Sequence, residues 1–144
     1  MWLSLAAGLG AWVVLRPAAA KAPTEDLAAA IKTYTGGAAV REGRIRFDIA
    51  ELIDNGNSVP ITISVDSPMT AASHVTSIAV FNEKNPQRDV ARFQLGPRAG
   101  RATVSTRIRL ATTQQLVAIA RLNDGSWWSQ RVDVIVTLAA CIED

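Results

Sequence analysis

Apolar residues near the start of the chain recur at helical spacing. Within residues 25–35 they fall every three or four positions, which lines one face of a helix. They are Leu27, Ile31 and Tyr34. Thr24 is a suitable N-cap, and the acidic Asp26 falls in the first turn, where the helix dipole favours negative charge. Because Gly36 follows as a stop signal, the pattern predicts one short N-terminal helix over residues 25–35.

Between residues 44 and 138 the period of the pattern becomes two, as in strands with one buried face. Seven strand-like segments occur, most of them alternating, at 45–49, 59–66, 75–81, 90–95, 102–110, 116–122 and 128–138. Turn sequences separate them, such as Asp-Asn-Gly-Asn at 54–57 and Asn-Asp-Gly at 123–125. Short strands at this spacing, without a second helix, predict a mainly β fold, an immunoglobulin-like β-sandwich of about seven strands over residues 44–138.

Two of these segments, 75–81 and 116–122, are apolar at nearly every position. Strands of this composition are commonly buried on both faces. The second face is covered either within the sandwich itself or by another subunit. The pattern leaves both arrangements open.

Residues 1–20 differ in composition from the rest of the chain. A mostly apolar run over residues 3–15 is followed by Arg16-Pro17 and by alanines at 18–20. This order is typical of the hydrophobic region and cleavage site of a secretory signal peptide, and the run is too short for a comfortable membrane span. We therefore expect an exported protein whose domain begins at residue 21 and which keeps no stable membrane anchor after processing. An uncleaved anchor is the alternative, and the proline and the alanines disfavour it.

The charge balance gives no sign of a nucleic-acid partner. The chain has 15 basic and 13 acidic residues, and cleavage after Ala20 removes Arg16, which leaves 14 against 13. The arginines are interspersed with acids instead of forming a basic stripe. We therefore expect no nucleic-acid binding.

The sequence offers little catalytic machinery. His74 is the single histidine, so a histidine metal centre lacks its usual ligands, and we expect a hydrogen-bonded structural role for this side chain. Neither a G-x-S-x-G elbow nor a phosphate-binding glycine loop occurs. The sequence therefore predicts no metal, no cofactor and no autonomous enzyme activity.

Two other groups of residues have both a binding and a structural interpretation. Trp127 and Trp128 directly follow a turn. They form either a ligand platform or a structural pair, in which Trp128 packs inward and Trp127 covers an edge or a partner. Arg107 and Arg109 lie on the polar face of a predicted strand, where solvated charge is the default and anion binding is the alternative.

The candidate reactive residue is Cys141, the only cysteine of the chain. The last predicted strand ends near Leu138, so residues 139–144 form a flexible C-terminal arm that reaches on the order of 10 Å beyond the sandwich, at about 3.3–3.6 Å per extended residue. Glu143, Asp144 and the terminal carboxylate place negative charge beside the sulfur, which disfavours the thiolate. Such a thiol suits a carrier better than a catalyst, because partner enzymes can supply the activating base.

Three stretches of the sequence together resemble the SoxY sulfur-carrier family. They are Asn55–Met69, Phe81–Pro86 and Ser105–Ala111. The resemblance implies a secreted, immunoglobulin-like subunit that pairs with a SoxZ-like subunit, either separate or fused. It also implies that sulfur intermediates of thiosulfate oxidation are carried covalently on Cys141, and that periplasmic sulfur-processing enzymes load, oxidise and hydrolyse this cargo.

The arm departs from the usual pattern of that family. Thiosulfate carriers end in Gly-Gly-Cys-Gly-Gly, whereas this arm reads Ala-Ala-Cys-Ile-Glu and resembles that of SoxY-related paralogues. Alanine and a β-branched isoleucine restrict the backbone more than glycine does. We therefore expect that the residues beside the cysteine are recognised by partners other than the standard thiosulfate enzymes. These residues are Ala139, Ala140, Ile142 and Glu143.

A second hypothesis keeps the fold but removes the cargo. The protein is then a periplasmic adaptor or binding subunit that docks a partner on a face of the sandwich, and Cys141 is unused or forms an intermolecular disulfide. The presence or absence of additional sulfur mass on Cys141 distinguishes the two hypotheses.

Overall fold

The computed structural model describes residues 26–141, together with residues 10, 11 and 13. The predicted signal peptide, except for those three residues, lies outside this part of the chain, as do Thr24, Ile142 and Glu143. The elements are α1 (Leu27–Thr35), β1 (Val40–Glu42), β2 (Ile45–Asp48), β3 (Leu52–Ile53), β4 (Val59–Val65), β5 (Val75–Asn82), β6 (Asp89–Gln94), a 3₁₀ turn (Pro97–Ala99), β7 (Thr103–Ile108), β8 (Gln114–Leu122) and β9 (Trp127–Val136).

The described strands form two packed sheets, which confirms the predicted sandwich. The larger sheet has the order β1-β9-β8-β5-β6, with β3 also paired to β9, and the smaller sheet has the order β2-β4-β7. The inward side chains of both sheets meet in one core, and Ile63, Ile78 and Leu116 within it are fully buried. Burial of each such side chain stabilises the fold by about 1.5–3 kcal/mol.

The helix covers the outer face of the larger sheet. Outward side chains of β5, β8 and β9 form a second buried cluster beneath α1, which includes Phe81, Val117 and Trp127. The Tyr34 ring lies 5.3 Å from the rings of both Phe81 and Trp127, and its hydroxyl donates to Ser77 Oγ at 3.1 Å. The chain's own helix therefore covers this second apolar face, and no other subunit is needed to explain it.

The start of the helix differs from the prediction. The helix begins at Leu27, and Asp26 is its N-cap instead of a residue of its first turn. Asp26 has an extended backbone, and its Oδ1 accepts a hydrogen bond of 2.7 Å from the N–H of Ala29. Asp is a better N-cap than Thr. Gly36 adopts a left-handed conformation with φ of 66°, as expected of a helix stop.

Two short strands were not predicted, since neither is long enough to display an alternating pattern. β1 pairs with the first half of β9 through Val40 and Trp127, and β3 pairs with its second half through Leu52 and Ile135, both in parallel register. β9 ends at Val136, two residues before the predicted end at Leu138.

Among the described residues no helix combines the length and the apolar character that a membrane span requires.

Candidate functional site

Cys141 is the last residue that the structure describes, and its free thiol is exposed. The preceding residues do not extend freely from the end of β9. We refer to residues 138–141 as the arm base, because each end of this segment is hydrogen-bonded to the sandwich. The arm base is placed by a turn before β4 and by the segment that follows β7.

Three hydrogen bonds to its backbone groups hold the arm base. The carbonyl of Leu138 accepts from Gly56 N–H at 2.7 Å, and Ala140 N–H donates to the carbonyl of Leu110 at 3.0 Å. The N–H of Cys141 donates to Asn57 Oδ1 at 2.8 Å. The predicted arm over residues 139–144 is therefore preceded and begun by a segment, 138–141, whose backbone groups have partners on the sandwich, and the rest of the arm lies outside the described residues.

Close packing at Gly56 makes these contacts possible. Its carbonyl also accepts from Leu110 N–H at 2.8 Å, so this glycine bonds to both segments at once. A Cβ atom at Gly56 would lie 2.4 Å from the carbonyl oxygen of Leu110 and 3.0 Å from both Leu138 O and Ala140 N. All three of these atoms belong to the backbone, so no side-chain rotation relieves the clash.

Asn55 fixes the orientation of the side chain that meets Cys141. Asn55 Oδ1 accepts from both the backbone N–H and the side-chain amide of Asn57, each at 3.0 Å. This is the local side-chain hydrogen bonding that asparagine favours in turns. With its Nδ2 so engaged, Asn57 directs its Oδ1 toward Cys141 N–H.

A buried amide holds the other side of the arm base. Asn85 bonds to the residues on both sides of Leu110: its Nδ2 donates to Arg109 O at 2.8 Å, and its Oδ1 accepts from Ala111 N–H at 2.9 Å. The same Oδ1 accepts from buried Gln114 Nε2 at 2.9 Å. Leu110 itself is fully buried, so its carbonyl is a fixed acceptor for the arm base.

Asn85 is in turn positioned by its own loop. Asn82 is fully buried, and its Oδ1 accepts from Asn85 N–H at 2.8 Å. The Arg88 guanidinium donates to the carbonyls of Asn82, Glu83 and Asn85. A continuous set of hydrogen bonds thus runs from this loop through Leu110 to the arm.

The three stretches that carry the sequence resemblance meet at this place. Gly56 and Asn57 come from the first stretch, Asn82 and Asn85 from the second, and Leu110 from the third. The sequence pattern alone placed the first four of these residues in turns or loops and Leu110 at the end of a strand, although each was in the stretches quoted for the resemblance. Their shared task is to hold the arm base.

The family model for the sulfur oxidation protein SoxY matches residues 31–141, a span that ends at the cysteine. The chain belongs to the SoxY family. Among solved structures, it is similar to the sulfur carrier protein SoxY from Chlorobium limicola f thiosulfatophilum, at 30% identity and a TM-score of 0.66. The match covers 78% of this chain and 97% of that SoxY.

Other similar structures show the fold alone. A superoxide reductase (neelaredoxin) from Ignicoccus hospitalis matches at 18% identity and a TM-score of 0.59, covering 65% of this SoxY-family chain and 80% of the reductase. A superoxide reductase from Nanoarchaeum equitans matches at 15% identity and 0.56, covering 67% and 100%. No curated protein sequence matches the chain. The described residues of this SoxY-family member contain no group of three or more His, Cys, Asp and Glu side chains suited to a metal ion.

The other candidate residues lie away from the arm and have structural contacts. His74 Nδ1 is 3.0 Å from the carbonyl of Thr70, and its backbone N–H donates to Asn123 Oδ1 at 3.0 Å, as a hydrogen-bonded structural role requires. Trp127 is buried beneath α1, so it covers a sheet face and not a partner. Trp128 packs on the main core with the Arg44 guanidinium 4.7 Å from its ring centre. The structural interpretation of both tryptophans therefore fits their surroundings.

Arg107 and Arg109 line a cleft of about 460 Å³. The cleft lies between β7 and the loop that contains Asn82 and Asn85. Arg107 also donates from Nη1 to Ser58 Oγ at 3.2 Å. The cleft therefore borders the loop whose Asn85 bonds to the residues on both sides of Leu110.

Three large apolar side chains are exposed on β3, on the last part of β9 and just after it. Leu52, Ile135 and Leu138 are each 57% exposed. Leu52 and Ile135 are directly paired partners on β3 and β9, and Leu138 begins the arm base. Leu138 was predicted to be the last residue of a strand, but β9 ends at Val136. Glu51 and Asp133 line a groove that includes Ile135.

Proposed function

We propose that this SoxY-family protein is a periplasmic carrier that holds a sulfur intermediate covalently on Cys141 and presents it to partner enzymes. The observation that carries the proposal is the convergence of the family stretches on the arm base, where they fix the only cysteine of the chain with its thiol exposed. Family membership and the similarity to a sulfur carrier support a carrier role in sulfur oxidation. The periplasmic location rests on the signal-like composition of residues 1–20.

The simplest loading step that needs no external oxidant is persulfide exchange. The Cys141 thiolate attacks the outer sulfur of a donor persulfide, R–S–SH. A bond forms between Cys141 Sγ and that sulfur, the S–S bond of the donor breaks, and its electron pair leaves with R–S⁻. The products are Cys–S–SH and R–S⁻, so atoms, charge and electrons balance.

Activation of the thiol is assigned to the partners. The contact that the structure gives Cys141 is with the amide of Asn57, which is not a base at neutral pH. Glu143 and Asp144 follow in sequence and add negative charge. The protein therefore acts as a covalent carrier without catalysis of its own, and a partner enzyme supplies the base or the electrophile.

The arm sequence selects which partners act on it. Ala139 and Ala140 precede the thiol, and Ile142 and Glu143 follow it, in place of the paired glycines of thiosulfate carriers. These side chains make the arm wider and more acidic than a glycine arm. We assign the chain to the paralogues with an Ala-Ala-Cys-Ile-Glu arm, whose processing enzymes recognise the isoleucine and the glutamate.

The exposed apolar side chains give these enzymes a place to dock. Leu52 and Ile135 are paired on β3 and β9, Leu138 begins the arm base, and acidic Glu51 and Asp133 line a groove together with Ile135. A processing enzyme with an apolar contact surface and a basic rim fits this chemistry. Leu52→Ser with Ile135→Ser should weaken loading by that enzyme while leaving binding of a SoxZ-like subunit unchanged. Loss of the SoxZ-like subunit instead would assign the surface to that subunit.

Intact-mass measurement tests the carrier role. Mature protein purified without reductant, or treated with a low-molecular-weight persulfide, is expected to gain the mass of whole sulfur atoms, which peptide mapping places on Cys141. Cys141→Ser should abolish both this gain and growth on the relevant sulfur substrate.

A relocated thiol provides the matched control. Cys141→Ser combined with Ser105→Cys keeps one cysteine, now on the exposed face of β7. The chemical donor should still modify it, whereas the partner enzymes should not. Enzymatic loading of the relocated thiol, or unchanged growth of the Cys141→Ser strain, would contradict the carrier role and favour the adaptor.

A further inference from the structure

We infer that the cleft beside β7 is a non-covalent binding site for a small tetrahedral oxyanion of sulfur, such as sulfate or thiosulfate. Cys141 is not among the described residues that line the cleft, so this binding goes beyond the proposed covalent carriage of sulfur. Three features support the site: the charges that line the cleft, a further charge behind its wall, and its size.

The side chains that line the cleft leave positive charge uncompensated. Arg107 and Arg109 both line it, and no carboxylate among the described residues forms an ion pair with either. Asp89 is the only carboxylate among the described lining residues, and Arg92 already engages it at 3.1 Å. The hydrogen bond of Arg107 to Ser58 Oγ is to a neutral hydroxyl. Two guanidinium groups therefore face the cleft without a counter-charge from the described part of the chain.

A third guanidinium lies directly behind the wall of the cleft. Arg88 donates to the carbonyls of Asn82 and Asn85, which both line the cleft. Its Nε is buried and has no hydrogen-bond partner among the described residues, and none of their carboxylates forms an ion pair with it. Because salt screens a partly buried charge less than an exposed one, Arg88 adds positive potential that salt reduces only weakly.

The size and the donors of the cleft suit a small oxyanion. Its volume of about 460 Å³ falls within the roughly 300–1,000 Å³ that is usual for small-molecule sites. A guanidinium presents a planar fork of N–H donors that matches two oxygens of one anion, and the Thr106 hydroxyl also lines the cleft. Oxidised sulfur occurs in water as anions of this kind, and the family is that of a sulfur oxidation protein. A sulfur oxyanion therefore fits both the cleft and the chemistry of the family.

Titration of the ¹⁵N-labelled full chain with sodium sulfate tests the site, with sodium chloride withdrawn in step so that the ionic strength stays constant. The backbone N–H signals of residues 87–91 and 106–109 should shift and saturate, and sodium thiosulfate should shift the same set. Absence of saturable shifts with both anions, or equal shifts when chloride alone is raised, would overturn the site. Tighter binding of phosphate than of either sulfur anion would overturn the assignment to sulfur.

Two double variants distinguish the cleft from the general attraction of anions to positive charge. Arg107→Gln with Arg109→Gln should weaken sulfate binding by about tenfold or more, because charge-assisted hydrogen bonds are lost. Arg98→Gln with Arg101→Gln removes the same charge from exposed positions that do not line the cleft, and should change the dissociation constant by less than about twofold. Equal weakening in the two variants would refute the site.

A lysine variant separates charge from shape. Arg107→Lys with Arg109→Lys keeps both charges but removes the planar forks, so it should bind sulfate more weakly than the native protein and more tightly than the glutamine variant. Urea unfolding should show that both variants remain folded. Cys141→Ser should bind sulfate as the native protein does. A protein that carries sulfur on Cys141 but does not bind sulfate in the cleft would refute only the cleft.

Discussion

A Cβ atom on Gly56 would lie 2.4 Å from the carbonyl oxygen of Leu110, a separation that non-bonded atoms do not tolerate. Any side chain at position 56 must therefore push apart the turn before β4, the segment after β7 and the arm base. We predict that Gly56→Ala costs about 1–3 kcal/mol in the free energy of unfolding, as for other overpacked sites. Urea denaturation measures this loss.

Gly96 offers the matched control for Gly56. It has an extended backbone with φ of −139°, and a Cβ atom there would meet nothing within 4 Å. Gly96→Ala should change the free energy of unfolding by less than about 0.5 kcal/mol. In Gly56→Ala the Cys141 amide should also exchange faster than in the native protein, whereas in Gly96→Ala it should not. Equal stability losses in the two variants would refute the role given to Gly56.

Asn85 is a second position where one substitution should disturb the segment that binds the arm base. It is 8% exposed, and its removal takes a hydrogen-bond partner from the part-buried Arg109 carbonyl and Ala111 N–H and from buried Gln114 Nε2, which still donates to Thr112 O. Because each unpaired buried group costs about 1–3 kcal/mol, Asn85→Ala should lose about 2–5 kcal/mol of stability. Calorimetry or urea denaturation provides the value.

Asn123, which is exposed, provides the control that distinguishes the effect of burial from the effect of losing hydrogen bonds. Asn123 also bonds to two backbone groups, since it accepts from His74 N–H and donates to Ala72 O, but water can replace it there. Asn123→Ala should cost about 0.5–1.5 kcal/mol. If the two variants lose equal stability, the buried network around Asn85 is not what holds the 109–111 segment.

The contacts of Gly56 and Asn85 could not be predicted from the sequence, unlike the strands of the core. The strands that form the core were predicted because alternation of side chains records which face is buried, and Ile63 and Ile78 lie where the pattern expected them. The contacts of Gly56 are made by backbone atoms of residues more than fifty positions apart. Backbone hydrogen bonding leaves no periodic signal in side-chain identity.

The contacts of residues 138–141 could not be predicted for the same reason. The arm base is bonded through the backbone groups of Leu138, Ala140 and Cys141. Because side-chain composition does not reveal such bonds, the sequence predicted a tail without contacts. The residues that hold it were visible only as parts of stretches shared with a family. Recognition of those stretches identified the important positions, and the structure supplied their physical task.

The turn between β8 and β9 predicts a measurable dependence on pH. Asp124 Oδ1 accepts from Ser126 Oγ at 2.6 Å and from Ser126 N–H at 2.8 Å, and these bonds hold the pKa of the Asp124 carboxyl below its ordinary value. The lowered pKa means that this interaction stabilises the fold above the ordinary pKa of aspartate and is lost as the pH falls through the lowered one.

Ser126→Ala removes the stronger of the two bonds. We expect it to raise the pKa of Asp124 toward the ordinary value, which a titration of the carboxyl carbon by NMR measures directly. Ser105→Ala, on β7, should leave that pKa unchanged. A titration curve for Asp124 that is the same in Ser126→Ala and in the native protein would rule out the assignment.

The arm sequence yields the prediction that bears most directly on partners. Replacing Ala139, Ala140, Ile142 and Glu143 together by glycine converts the tail to the Gly-Gly-Cys-Gly-Gly pattern of thiosulfate carriers. If the native side chains are what the processing enzymes recognise, this variant should lose kcat/KM with its own enzymes by about tenfold or more, since one lost apolar contact alone has an effect of that size.

Single substitutions then apportion that loss. Ile142→Ala removes apolar contact, and Glu143→Gln removes charge at nearly constant shape, so only the latter effect should shrink as salt concentration rises. The glycine arm should gain activity with the enzymes that load standard thiosulfate carriers, because it is narrower and less acidic. Loading assays with both sets of enzymes distinguish the outcomes. If the native and glycine arms instead give equal kcat/KM with both sets of enzymes, the partners recognise only the surface of the sandwich, and the side chains beside Cys141 do not determine specificity.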